Sequence, residues 1–130
     1  MIQETGVKAA FTVHSVDIIR GGLLATIYFR FEGGSTRELL RKLLVYKDEP
    51  FVRLVTDKGG FQRFPDPKYV IGSNFADIGF AYDEENSRAI IFSAIDNLIK
   101  GGSGQAVQNM NLMFGLNERT GLNYYPVYPV

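Results

Sequence analysis

The chain has 130 residues and no cysteine, is 45% apolar and 22% charged, and sets fourteen basic residues against fourteen acidic ones. That length buries a core of its own as a single domain over residues 1–130, without cross-links. Zero net charge gives no excess field to hold a phosphate backbone or an anionic membrane, a single histidine with no cysteine excludes thiolate nucleophiles and Cys- or His-rich metal centres within these residues, and no apolar run approaches the roughly 20 residues that span a bilayer. The expectation is a cytoplasmic protein with no nucleic-acid, membrane or metal partner.

Val7 to Val16 alternates, with Val7, Ala9, Phe11 and Val13 on one side and Ala10, Thr12, His14 and Val16 on the other, which predicts a strand. Leu23 to Phe31 alternates in the same way, and the connector Asp17 to Gly22 ends in two glycines, so the pair reads as an antiparallel hairpin. Ser35-Thr36-Arg37-Glu38 has the form of a capping box, and Leu39, Leu40, Leu43 and Leu44 supply the buried stripe of the helix that follows. Pro50 ends that helix and Phe51 to Val55 is extended. Asp57 to Lys68 is punctuated densely enough by glycine and proline to predict a long surface loop.

Tyr69 to Ser73, Ile78 to Tyr82 and Arg88 to Ile95 read as three more strands, the last two joined across Asp83 to Asn86. Ala89-Ile90-Ile91-Phe92 is continuously apolar and belongs in the middle of a sheet, covered on both faces. After Gly101-Gly102-Ser103-Gly104 a helix runs from Gln105 to Phe114, with Ala106, Val107, Met110, Met113 and Phe114 at helical spacing and Gly115 as its C-terminal cap. The aromatic tail Tyr124 to Val130 is expected to lie on another surface. About six strands and two helices without strand–helix alternation make an α+β domain on a mostly antiparallel sheet.

A glycine-rich turn that opens a helix lets a ligand approach the backbone and presents free amides at the positive end of the helix dipole; the alternative is close packing of helix on sheet. Asp96-Asn97-Leu98-Ile99-Lys100-Gly101-Gly102-Ser103-Gly104-Gln105-Ala106-Val107-Gln108-Asn109-Met110-Asn111-Leu112-Met113 follows neither the dinucleotide fingerprint nor the Walker pattern. As a whole it resembles the C-terminal signature of the N-acetyl-γ-glutamyl-phosphate reductases and of the related reductases of carrier-protein-linked lysine biosynthesis. Four further segments agree in order: Phe11 to His14, Ile19 to Tyr28, Pro50 to Arg53 and Val70 to Asn74.

The resemblance implies a glyceraldehyde-3-phosphate-dehydrogenase-like C-terminal domain of an NADPH-dependent enzyme that converts an acyl phosphate to an aldehyde and phosphate in arginine or lysine biosynthesis. In such enzymes a cysteine attacks the acyl phosphate and a histidine assists proton transfer. This chain has no cysteine and no Rossmann half, and Met1 to Glu4 runs straight into the first strand, so it is expected to be the C-terminal catalytic and dimerisation part of a longer reductase, inactive alone. Implied partners are the N-terminal dinucleotide-binding half, a second copy of the chain in a dimer or tetramer and an amino-group carrier protein, for which the loop Asp57 to Lys68 is the place to look.

By resemblance, Asn97 stands near the nicotinamide of NADP, with Gly101 and Gly102 letting the backbone pass close to it; Gly102 replaces the alanine common in the family. The plain alternative for Asn97 is a residue that orders the turn. Arg20 is a candidate for the substrate's carboxylate or phosphate, or else an internal ion-pair partner, and His14 is a second substrate candidate, or else a structural hydrogen-bonder on its strand. Tyr28, Phe29, Phe31, Phe51 and Phe61 read as core or subunit interface rather than a base-stacking surface, since no basic stripe accompanies them. Two other readings stand beside the enzyme part: a free-standing dimerisation or regulatory module, and a small-anion binder using the turn Gly101 to Gly104.

Overall fold

Alternation in the first third of the chain becomes a hairpin in the computed structural model, which describes residues 9–15, 21–56 and 64–126. Strand β1 (Ala9–Ser15) pairs antiparallel with β2 (Gly22–Arg30), setting Ala10 opposite Tyr28 and Thr12 opposite Thr26. The helix α1 (Thr36–Leu43) starts where the capping pattern places it, with Ser35 Oγ accepting from the Glu38 N–H at 3.2 Å. Leu39 and Leu43 are buried. Leu44, expected in the same stripe, is 43% exposed, because the chain tightens there into a 3-10 turn, Leu44–Tyr46, that rotates it off the buried face.

Three more strands complete one five-stranded sheet. Strand β3 (Val52–Leu54) lies parallel to β4 (Ala76–Asp83), β4 is antiparallel to β5 (Arg88–Asp96), and β5 is antiparallel to β2, giving the order β1-β2-β5-β4-β3. The second helix, α2 (Gly104–Met113), ends at Gly115, whose positive φ of 67° lets Leu116 N–H return to Asn111 O at 2.8 Å and Gly115 N–H to Leu112 O at 3.2 Å. The α+β class, the mostly antiparallel sheet and the two helices agree with the sequence reading. None of the helices among the described residues is long and apolar enough to cross a membrane.

Tyr69 to Ser73 is not a strand. Pro67 fixes the φ of a first helical residue and Asp66 Oδ1 accepts from Lys68 N–H at 3.0 Å, so the chain winds into a 3-10 turn, Pro67–Tyr69, and continues through a second turn closed by Ser73 N–H on Val70 O. Residues 57–63 of the expected surface loop lie outside the described residues, and its end is no surface loop. Phe64 meets Phe92 with ring centroids 5.0 Å apart, Pro65 and Pro67 are buried, and Gly79 leaves the room that Pro65 fills.

The two faces of the sheet differ. Register places Leu24, Thr26, Gly79, Phe92, Ala94, Asp77 and Asp96 on one face, where the segment from Phe64 to Phe75 packs. Leu23, Ala25, Ile27, Phe29, Phe80, Ile91 and Ile95 share the other face, and every one of these is only half-buried, with Val13 beside Ala25 at 48% exposure. Ala89-Ile90-Ile91-Phe92 does occupy the central strand, but of its residues only Ala89 is fully buried. A run of this kind at the centre of a half-open sheet signals a face that awaits a further layer.

Candidate cofactor and substrate site

The end of β5 and the start of α2 are joined by a wide turn, Ile99–Ser103, in which Ser103 and Gly104 N–H groups donate to carbonyls five residues back, Leu98 and Ile99. Turns of this width are frequent at functional sites. The backbone leaves helical geometry at Gly102 (φ −145°, ψ −105°), and Ser103 Oγ donates to Leu98 O at 2.9 Å. Asn97, Gly101 and Gly102 are all exposed on this turn. The Asn97 side chain lies against Gly101, close enough that a Cβ there would collide with Oδ1, whereas a Cβ on Gly102 would meet nothing nearer than Asn97 O at 3.4 Å. Gly101 therefore makes room for the amide and Gly102 leaves the approach open.

One main-chain bond brings a second region to this turn. Asn97 N–H donates to Gly21 O at 2.6 Å, and Gly21 follows Arg20 in the chain. Arg20 itself lies outside the described residues. His14 stands in β1 opposite Leu24, which in turn pairs with Ala94 on β5, two residues before Asp96. The structure thus brings Asn97, Gly101 and Gly102 together and bonds Gly21 to them, with the main chain of His14 in β1, two strands from β5.

Behind the turn is a buried polar network that sequence reasoning missed. Gln108 Oε1 accepts from Asn74 Nδ2 at 2.9 Å and from Lys100 Nζ at 2.6 Å, and Gln108 Nε2 donates to Glu118 Oε1. Asn111 Nδ2 donates to the carbonyls of Glu118 and Thr120 at 3.1 and 2.9 Å. The Lys100 ammonium also lies 5.4 Å from the centroid of Phe51, which is buried. Burial holds the lysine's pKa below its usual value, and the carboxylate of Glu118 works in the opposite direction.

This network inverts α2. Gly104, Gln108 and Asn111 face inward, while Met110, Met113 and Phe114 are 44%, 82% and 75% exposed, and Ala106 is exposed too. Of the apolar residues at helical spacing only Val107 is half-buried, because the amides on the opposite side satisfy main-chain and charged groups that no apolar side chain could pair. Tyr124 and Tyr125 are exposed as well, and residues 127–130 of the tail lie outside the described residues. Of the aromatic residues flagged in the sequence, Phe51 is core, Phe29 belongs to the half-open face, Phe31 packs edge-on against Tyr82 and Phe61 is outside the described residues.

The turn presents an amide to solvent. An exposed amide can both donate and accept, its main chain is pinned by Gly21, and the glycines beside it leave the backbone accessible. Among the described residues no three His, Asp or Glu side chains gather to hold a metal ion.

Comparison with known proteins identifies the family and the fold. A family model described as the semialdehyde dehydrogenase dimerisation domain matches residues 1–97. A relative from Thermococcus kodakarensis, named provisionally as a LysW-L-2-aminoadipate/LysW-L-glutamate phosphate reductase, is 94% identical over all 130 residues, which make up 39% of its own length. An N-acetyl-gamma-glutamyl-phosphate reductase from Staphylococcus saprophyticus is 48% identical over 99% of this chain and 37% of its own. The solved structure of aspartate semialdehyde dehydrogenase II from Vibrio cholerae shares the fold, with a TM-score of 0.53 at 19% identity over 72% of this chain and 27% of that one. The chain thus spans about two-fifths of the length of curated relatives that it matches end to end.

Proposed function

The chain belongs to the semialdehyde dehydrogenase dimerisation-domain family, and from that premise we propose that it serves as the C-terminal part of a longer NADPH-dependent reductase. Its reaction converts an N-blocked glutamyl or aminoadipyl phosphate to the semialdehyde and inorganic phosphate in arginine or lysine biosynthesis. The observation that supports the reading is the exposed Asn97 turn, whose main chain is bonded to Gly21 O.

NADPH supplies the hydride when bound. The residues of this chain bind and orient. Asn97 would hold the carboxamide through its side-chain amide, from a main chain anchored to Gly21, and Gly101 and Gly102 would leave room for the ring. Arg20 supplies a forked cation for the carboxylate or phosphate of the substrate, with His14 as a second contact. The outer stripe of α2, with Met110, Met113 and Phe114, and the tyrosines 124 and 125 are covered by the dinucleotide-binding half, and the half-open sheet face by a second copy of the chain. The blocking group on the reductases named for LysW is a carrier protein, and the same class of substrate is the one this reading favours here.

The test is the reverse reaction of the full-length reductase, followed as NADPH absorbance with inorganic phosphate and either N-acetylated or carrier-linked semialdehyde. Phosphate-dependent NADP reduction is expected with one of them, and Asn97→Ala is expected to raise the KM for NADP about tenfold, the loss of one hydrogen-bonded contact of roughly 1.4 kcal/mol. No phosphate-dependent reduction with any of these semialdehydes overturns the reading.

A further inference from the structure

Asn97 and Gly21 are far apart in the sequence, yet one carboxylate is bonded beside the first and packs against the second. Asp96 is 4% exposed and closes the β2–β5 ladder opposite Gly22. Its Oδ1 accepts from Leu98 N–H at 2.9 Å, which shapes the chain on the far side of Asn97, and its Oδ2 accepts from Gly72 N–H at 2.8 Å, which anchors the turn before β4. Gly21 sits directly on the same oxygen: its φ is 83°, and a Cβ there would lie 2.5 Å from Oδ1. Only glycine meets both demands. The next atoms along close the loop, since Gly21 O takes the Asn97 N–H.

We propose that Asp96 is a positioning residue that fixes the Asn97 turn and the Gly21 corner relative to each other, and so sets the distance between nicotinamide and substrate. The proposal rests on the functional reading above and deepens it. A carboxylate suits the task because each of its oxygens accepts here, from two N–H groups in different loops. A carboxamide of the same shape turns an NH2 group toward one of those N–H groups, breaking one arm of the junction while filling the same volume. Asp96 touches neither ligand and acts through the backbone of Leu98, Gly72 and Gly21.

A carboxylate that served the fold alone would lower the melting temperature when replaced and leave ligand affinities unmoved. The full-length reductase separates the two roles in four forms: wild type, Asp96→Asn, Gly21→Ala and Asn97→Ala. Two dissociation constants are measured for each, NADPH by its own fluorescence and inorganic phosphate by calorimetry, with a thermal melt for each variant. Asp96→Asn is expected to weaken both ligands by about tenfold to a hundredfold, the range seen when a supporting residue behind a binding group is lost, whereas Asn97→Ala weakens NADPH alone. Gly21→Ala, which keeps the carboxylate and pushes on it from the other side, is expected to weaken both as well, and it carries the test where Asp96→Asn does not fold. A folded Asp96→Asn or Gly21→Ala protein with either constant at its wild-type value overturns the proposal. A wild-type protein that binds neither ligand overturns the functional reading itself.

Discussion

At the scale of single residues, the site is a set of close approaches. Asn97, Gly101 and Gly102 were singled out from one short stretch around a glycine-rich turn, and in the structure the Asn97 amide occupies the space that a side chain on Gly101 would fill. Asp96, Gln108 and Asn74 were not legible, since a polar residue's burial depends on partners that the sequence places far away, such as Gly72 for Asp96 and Glu118 for Gln108. Lys100 gives this scale its test. Its folded pKa lies below the 10.5 of a free lysine, with burial as the main cause. The native state therefore holds fewer protons than the unfolded chain between the two values, and stability rises with pH across that window. The stability of wild type relative to Lys100→Met is expected to increase as the pH is raised toward 10.5. A difference that stays flat in denaturant midpoints over that range would show that the ammonium is not desolvated.

Among the elements, alternation and capping signals were reliable guides. The β1–β2 hairpin, the start of α1 at Ser35 and the stop of α2 at Gly115 each arise from local chemistry, so a short window of sequence contains their cause. One element was misread: Tyr69 to Ser73 looked extended, but Asp66-Pro67 just before it commits the chain to a turn. In α2 the sequence showed the helix but not its orientation, and the amide face is the buried one, the inverse of the usual amphipathic arrangement. That inversion has a measurable result. Gln108→Leu, although it makes the buried face more apolar, is expected to destabilise the fold by about 1–3 kcal/mol because Asn74, Lys100 and Glu118 lose their shared partner. Met113→Lys is expected to change stability by less than about 0.5 kcal/mol, as for other exposed positions. Urea midpoints measure both, and a destabilised Met113→Lys beside a neutral Gln108→Leu would mean that the helix packs the other way round.

Over the whole molecule, one sheet supports two surfaces. Its covered face ends in the Asp96 junction and the Asn97 turn, and its other face presents Leu23, Ala25, Ile27, Phe80, Ile91 and Ile95, none of them fully buried. The mostly antiparallel sheet was legible from alternation, but the parallel edge strand β3 and the openness of one face were not, because both depend on how strands are ordered rather than on any one strand's pattern. On the proposed reading, this apolar face of a chain in a dimerisation-domain family is the surface that a second copy covers. Sedimentation equilibrium of this chain and of its Ile91→Lys variant, both checked for folding by circular dichroism, tests that claim most directly. The account predicts a dimer for wild type and a folded monomer for Ile91→Lys, since a charge at the centre of the face would be buried without a partner. A wild-type monomer at tens of micromolar, or a dimer that the lysine leaves intact, would contradict it.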